Sequence, residues 1–245
     1  MVSFAAEPIF NIGKFAVTNA FLDTLLVDGI IVGLIIAVRK NLKLIPGKFQ
    51  TIIESIFSEF YLLTESVAGK NAAKIFPFFM TFFLFILIAN WTGLIPGINA
   101  IGIKHEGEIV PFLRAATSDF NVTLGLALVS ITATHVLSIK TVGILDYLSR
   151  YFSLNPINLF IGLLEIISEI TKIISLSFRL FGNIFAGEIV LGTVSTLFAF
   201  VFPLPFLMLE VIVGLVQALV FAMLTMAFMA VLMTPHHSES KEVSH

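Results

Sequence analysis

Runs of apolar residues as long as a bilayer-crossing helix recur along this chain, and they set its fold class before any motif is read. One covers about Asn19 to Val38 and ends at Arg39, Lys40 and Lys43. A second covers about Ile75 to Leu94 and closes at Gly93-Leu94-Ile95-Pro96-Gly97; a third covers about Phe120 to Ile139 and ends at Lys140. Roughly 18 consecutive apolar residues are enough to cross hydrocarbon as a helix. Water cannot be the solvent for such a body, because only 12% of its residues are charged, against about 25% in a soluble domain. With 58% hydrophobic residues and a mean hydropathy of +1.02, the composition gives an all-α polytopic membrane protein.

The segments between these spans have other characters. From Pro46 to Val67, Phe49, Ile52, Ile53, Ile56, Phe57, Phe60 and Leu63 recur at helical spacing among Glu54, Ser58, Glu59 and Glu65. This pattern predicts an amphipathic helix, over 46–67, lying on the membrane surface. A polar loop with Lys104, His105, Glu106, Glu108 and Arg114 follows the second span, and a short loop from Thr141 to Pro156 carries Asp146 and Arg150. If three spans cross, Arg39, Lys40, Lys43, Lys48, Lys70, Lys74, Lys140 and Arg150 share one side, and only Lys14, Lys104 and Arg114 take the other. The positive-inside rule then places the N-terminus outside and the surface helix inside.

The C-terminal third is less ordinary. No proline interrupts 157–202, and a continuous helix of that length measures roughly 65–70 Å, against about 30 Å of hydrocarbon. After Pro203-Leu204-Pro205, expected as a turn, the run 206–233 still measures about 40 Å. Two long, steeply tilted helices forming a hairpin resolve the mismatch. A polar tail covers 235–245. No internal repeat is visible, and residues 1–245 read as a single membrane domain.

Several function classes are excluded or unsupported. The net charge of -2 and the absence of a basic face leave no nucleic-acid partner. With no cysteine, disulfides, thiolate metal sites and cysteine catalysis are ruled out. The N-terminus has Glu7, with Asp23 further on, and no basic stretch before its apolar run, so it does not read as a signal or transit peptide. No phosphate loop, zinc motif or nucleophile triad is present, which leaves no catalytic residue, cofactor or metal to assign. His135 reads as an interfacial or satisfied histidine without ligand-spaced companions.

The informative residues are charges where lipid should exclude them. A charged side chain at the centre of a spanning helix costs about 2.5–3.5 kcal/mol on insertion scales. The first long C-terminal helix nevertheless carries Glu165, Glu169, Lys172, Arg179 and Glu188, and the second carries Glu210 and Gln217. At about 100° per residue, Glu165, Glu169, Lys172, Arg179 and Asn183 fall in a band roughly 80° wide, with Ser168 and Ser175 along its edge. Glu188 sits well round from this stripe. Glu210, Gly214 and Gln217 share one face of the partner helix.

Bland readings stand beside the functional ones. Glu165, Glu169 and Lys172 can pair among themselves near the water, and Lys172 can snorkel. Gln217 can be interhelical glue, and Gly182, Gly187, Gly192 and Gly214 can permit close approach. Arg179 resists such an account, because it lies mid-helix and cannot shed its proton. A structural arginine paired with Glu188 or Glu210 is the weaker alternative. Carboxylates at membrane depth commonly mark proton relays.

Ser177-Phe178-Arg179-Leu180-Phe181-Gly182-Asn183-Ile184-Phe185-Ala186-Gly187-Glu188 closely resembles the core motif of subunit a of F-type ATP synthases. Gly93-Leu94-Ile95-Pro96-Gly97, Thr117-Ser118-Asp119-Phe120-Asn121-Val122-Thr123-Leu124 and Glu210 through Gln217-Ala218-Leu219-Val220-Phe221 agree with further stretches of that family, in order. The resemblance implies a stator whose last two helices lie tilted against a rotor ring of small hydrophobic c subunits, within a complex that includes the peripheral stalk subunit b. It implies that Arg179 is the essential arginine and that Glu188, Glu210 and Gln217 belong to the outer half-channel. Asn183 is the motif asparagine beside the arginine, and Asp119 and Asn121 are polar positions at the outer end of the third span. Glu165, Glu169, Lys172 and Ser175 match the neighbourhood of the inner half-channel. A bacterial inner membrane is the expected setting, with an organellar membrane as the alternative; the C-terminus is expected to be cytoplasmic, and protons are the default ion, with sodium as the alternative. The rivals are a stand-alone ion channel or secondary transporter, which would conduct alone and usually carries a repeat, and a non-transporting scaffold, which leaves Arg179 unexplained.

Overall fold

The computed structural model describes residues 8–12, 15–44, 46–95, 102–105, 108–151, 156–197 and 202–234; the polar tail expected over 235–245 lies outside these. The first element is an antiparallel hairpin of β1 (Pro8–Ile12) and β2 (Phe15–Thr18). Thr18 then caps α1 (Asn19–Asn41), its hydroxyl accepting from the Phe21 amide at 3.3 Å. The next helix, α2 (Lys48–Ala68), ends where Gly69 takes a φ of 51°, a conformation that suits a residue without Cβ. After a single 3-10 turn, α3 (Ala72–Thr92) begins.

The amphipathic pattern of α2 is expressed as two apolar faces. Phe57 and Tyr61 meet Phe76 edge-on, and Phe60 packs between Phe79 and Phe83 of α3. Phe49, Ile52 and Ile56 remain exposed, as suits a helix in the interfacial layer.

A second antiparallel hairpin, β3 (Gly102–His105) with β4 (Glu108–Pro111), occupies the segment expected as a polar loop. These two hairpins are the only sheets among the described residues. Asp119 caps α4 (Phe120–Val142), its carboxylate accepting from the Asn121 amide at 2.9 Å. Gly143, at φ 96°, releases the chain into α5 (Ile144–Tyr151). This short helix corrects the expectation of a loop over 141–156. It forms because Tyr147, Arg150 and Tyr151 can face the bundle while Ile144, Leu145 and Leu148 stay exposed.

The last two helices are α6 (Pro156–Leu197), 42 residues long, and α7 (Pro203–Leu232), 30 residues long. Pro203 and Pro205 form the first turn of α7 instead of an intervening turn. Proline fits there because the first amides of a helix have no intrahelical acceptor. At 1.5 Å per residue α6 is about 63 Å long, twice the hydrocarbon thickness of about 30 Å. By length and composition, candidate spans lie at 19–40, within 48–92, at 120–142 and at 203–232.

The core is shared by α3 (Ile75, Phe79, Phe83, Ile86), α4 (Ala127), α6 (Leu176, Leu180, Ile184) and α7 (Phe221, Met226, Met229). In lipid, apolar burial alone does not hold helices together, so close packing and polar contacts do more of the work. Ser130 and Thr225 join α4 to α7 at 2.8 Å, and Ser138 donates to the Leu232 carbonyl at 2.6 Å. Asn90 of α3 donates to the Gly214 carbonyl at 2.9 Å and accepts from Thr117 at 2.7 Å. A Cβ on Gly214 would come within 3.1 Å of the Asn90 Cβ, so this glycine lets α3 and α7 approach.

Candidate ion path along helix α6

Arg179 lies near the middle of α6 on an exposed surface, with its Nη2 donating to the Ser175 hydroxyl at 3.2 Å. Among the described residues no carboxylate lies within ion-pair distance of it. The alternative in which Glu188 or Glu210 neutralises this arginine is therefore not what the structure adopts. Around it α6 exposes Leu164, Ile167, Ile174 and Phe178, and α7 exposes Leu209, Ile212 and Val216. A guanidinium on an apolar, uncovered face is costly in lipid.

Toward the C-terminal end of α6 lies one polar cluster. Glu188 pairs with Arg114, Nη2 to Oε2 being 3.2 Å, and the same arginine donates from Nε to the Ser118 hydroxyl at 2.9 Å. Glu210 is 6% exposed, and its carboxylate packs directly on the bare Cα of Gly187, where a Cβ would collide with both oxygens. One of those oxygens is buried without a hydrogen-bond partner. Between this cluster and Arg179, Asn183 donates to Gln217 at 2.7 Å, tying α6 to α7. Asp119 holds both the amide and the side chain of Asn121, at 2.9 and 3.2 Å; the observed work of this pair is to start α4.

A second cluster lies toward the N-terminal end of α6. Lys172 binds Glu169 at 2.8 Å, as the i,i+3 spacing allows, and also stands 4.8 Å above the Phe228 ring. Glu165 pairs instead with Arg150 of α5 at 3.0 Å. His135 of α4 approaches the other oxygen of Glu169 at 3.7 Å and is bonded to Tyr147 at 2.8 Å. Burial, reinforced by the Tyr147 hydroxyl and the charges of Glu169 and Glu165, raises the Tyr151 phenol well above its ordinary range, so it stays protonated. A recess of about 420 Å³ opens beside this cluster, lined by Ser168, Lys172, Ser175, Arg179 and Phe228 among others.

The expected residues thus fall into two groups on either side of Arg179. Glu188, Glu210, Gln217 and Asn183 converge at one end; Glu165, Glu169, Lys172 and Ser175 gather at the other. From Glu169 to Glu188 the helix axis rises about 28 Å, close to the hydrocarbon thickness of about 30 Å. Asn90 and Tyr147 were not singled out by sequence pattern, Arg114 was read only as a loop cation, and His135 only as a histidine without ligand-spaced companions. Each sits in a loop or on a helix other than α6, and only the fold brings it to the stripe. Among the described residues no group of three or more ligand-type side chains is placed to hold a metal ion.

The fold defines a multi-pass membrane protein, and its longest helix, α6, carries a polar cluster on each side of the exposed Arg179. The sequence profile described as ATP synthase A chain matches residues 21–230. A protein described as ATP synthase subunit a, from Moorella thermoacetica, is 30% identical over 223 residues, covering 91% of this chain and 94% of that one. The chain belongs to the ATP synthase A chain family.

Proposed function

We propose that this chain is the stator of a rotary ATP synthase and passes protons through two offset half-channels to and from carboxyl groups on a rotor ring. The observation that carries the reading is Arg179: unpaired with any carboxylate of the described residues, exposed on an apolar face, and flanked by a polar cluster at each end. The uncovered faces of α6 and α7 would dock the ring of small c subunits. The outer half-channel would run through Glu188, Glu210, Gln217 and Asn183, and the inner one through Glu165, Glu169, Lys172 and Ser175.

The chemistry follows from solvation. A protonated ring carboxyl can face lipid, whereas an ionised one meets a large desolvation cost. The fixed charge of Arg179 favours the ionised form as the group passes and repels a proton that would cross directly between the half-channels. Ions therefore travel round with the ring, and flow is tied to rotation. The membrane potential supplies about 2.3 kcal/mol per charge per 100 mV, so several translocations drive each ATP made elsewhere in the complex. The cation distribution supports an outside N-terminus and a cytoplasmic C-terminus; the proposed setting is a bacterial inner membrane, with subunit b as a further neighbour.

The test is Arg179→Ala in the assembled complex. ATP-driven acidification of vesicles should be lost, with or without a passive leak. Undiminished pumping by that variant overturns the assignment.

A further inference from the structure

The inner cluster extends away from the recess into the body of the subunit. From Lys172, the carboxylate of Glu169 leads at 2.8 Å, then His135 at 3.7 Å, then Tyr147 at 2.8 Å, and the Tyr151 hydroxyl lies 3.5 Å beyond. The chain links α6, α4 and α5, and it ends on the short helix that follows the inner end of α4. Within it, Glu169 Oε2, the oxygen facing His135, is buried and has no hydrogen-bond partner. A protonated Nε2 on His135 is the group that would satisfy it. The His135 side chain is 26% exposed.

From these contacts we infer that His135 exchanges protons between the inner aqueous phase and Glu169, so that the inner recess is served through the α4–α5–α6 interior as well as along its open side. The inference rests on the half-channel reading above. In the outward-to-inward direction, the protonated carboxyl of Glu169 gives its proton to His135 Nε2, leaving carboxylate and imidazolium. The imidazolium then releases the Nδ1 proton to the Tyr147 oxygen as the tyrosine's own hydrogen passes to water. Neutral histidine remains, and it regains its starting tautomer by exchange at its exposed edge. The 3.7 Å step is one that a small rotation or a bridging water closes.

The groups facing His135 suit this role. Glu169 with Lys172 behind it comes from α6, Tyr147 with Tyr151 behind it comes from α5, and the Arg150–Glu165 pair closes the α5–α6 side. On α7, the apolar ring of Phe228 lies under Lys172. Histidine is the side chain whose ordinary pKa, about 6.5, lets it take and release a proton near neutrality.

The test uses the complete complex in inverted membrane vesicles, and membranes stripped of the soluble catalytic sector for passive proton flux. His135→Phe should lower passive flux about tenfold, the low end of what a positioned acid–base group contributes being larger still. It should also flatten the dependence of flux on the pH of the inner side. Tyr147→Phe, which keeps the ring and removes only the hydroxyl, should lower flux in the same direction. Wild-type flux and an unchanged pH profile in both variants overturn the inference. If His135→Phe fails to assemble, His135→Gln and Tyr147→Phe decide by the same readouts. Arg179→Ala in parallel separates the two claims: if it uncouples while the His135 and Tyr147 variants behave as wild type, only the histidine route falls.

Discussion

The carboxylate of Glu210 rests on the bare backbone of Gly187, in the crossing between α6 and α7, with one oxygen buried and unbonded. Packing rather than a hydrogen bond fixes that oxygen. A methyl group at position 187 would occupy the space of both oxygens, and a flexible side-chain end yields more readily than a helix backbone. Gly187→Ala should therefore move the carboxylate and leave the helix crossing in place. Thermal stability should change by about 1 kcal/mol or less, because replacing glycine with alanine inside a helix gains nearly that much. ATP-driven proton pumping should fall about tenfold or more, as misplaced relay groups generally lose rate steeply. Pumping at the wild-type rate in Gly187→Ala would show that the position of the Glu210 carboxylate is unimportant.

The pair Arg114–Glu188 makes a different prediction. Arg114 is 5% exposed, and its side chain binds both Glu188 and Ser118. Removing one member of a buried pair leaves the other charged and without its partner, which costs about 3–5 kcal/mol in full burial; the quarter-exposed Glu188 reduces this to roughly 1–3 kcal/mol. Arg114→Gln and Glu188→Gln should each lower the denaturation midpoint of the complex. The double variant should lose less than the sum, by about 0.5–3 kcal/mol. A double-mutant cycle with strictly additive losses would show that the pair contributes no coupling.

These residues also show where sequence reading reaches its limit. The apolar runs marked α1, α3 and α4, because lipid makes length and composition decisive. The stripe through Glu165, Glu169, Lys172, Arg179 and Asn183 was visible because a helix converts spacing into a face. Spacing could not show that Glu165 turns to Arg150 and Glu188 to Arg114, since each partner lies outside the helix that displays the pattern. The hairpins β1–β2 and β3–β4 were hidden for a related reason: short strands in polar connections carry little periodic signal. Helix α5 was missed because eight residues between two long helices offer too few turns to show a face. His135 was read as an interfacial or satisfied histidine, and its contacts with Tyr147 and Glu169 agree with that, but sequence could not name those partners.

Alkaline conditions should loosen α5. Burial raises the Tyr151 phenol above its ordinary value, which is about 10 in an unfolded chain. The folded state therefore holds this proton more tightly than the unfolded state. Its contribution is fully present below about pH 10 and is lost as the pH rises beyond it. Removal of the hydroxyl removes the linkage, so Tyr151→Phe should lose less stability between neutral and strongly alkaline pH than wild type. Protease accessibility of α5 against pH, measured on the membrane-bound complex, reads this directly. Identical profiles for the two proteins would mean that Tyr151 ionisation does not control the docking of α5.

Asp23 supplies the last test, near the N-terminal end of α1. One carboxylate oxygen accepts from the Thr92 hydroxyl at 3.1 Å and from the Ala116 amide at 2.8 Å, so it ties α1 to the end of α3 and to the turn before α4. The other oxygen is buried with no hydrogen-bond partner. An asparagine can present its carbonyl oxygen to the same two donors and removes any charge from the site. Asp23→Asn should therefore keep the assembled complex within about 1 kcal/mol of wild type. Asp23→Ala strands the buried Ala116 amide, while the Thr92 hydroxyl keeps the Ala89 carbonyl at 3.0 Å, and should cost about 1–3 kcal/mol. The contrast separates tethering from charge: if both variants destabilise equally, an ionised carboxylate is required, and if neither does, α1 is held by the packing of Val27 against Ala89 and Ala116.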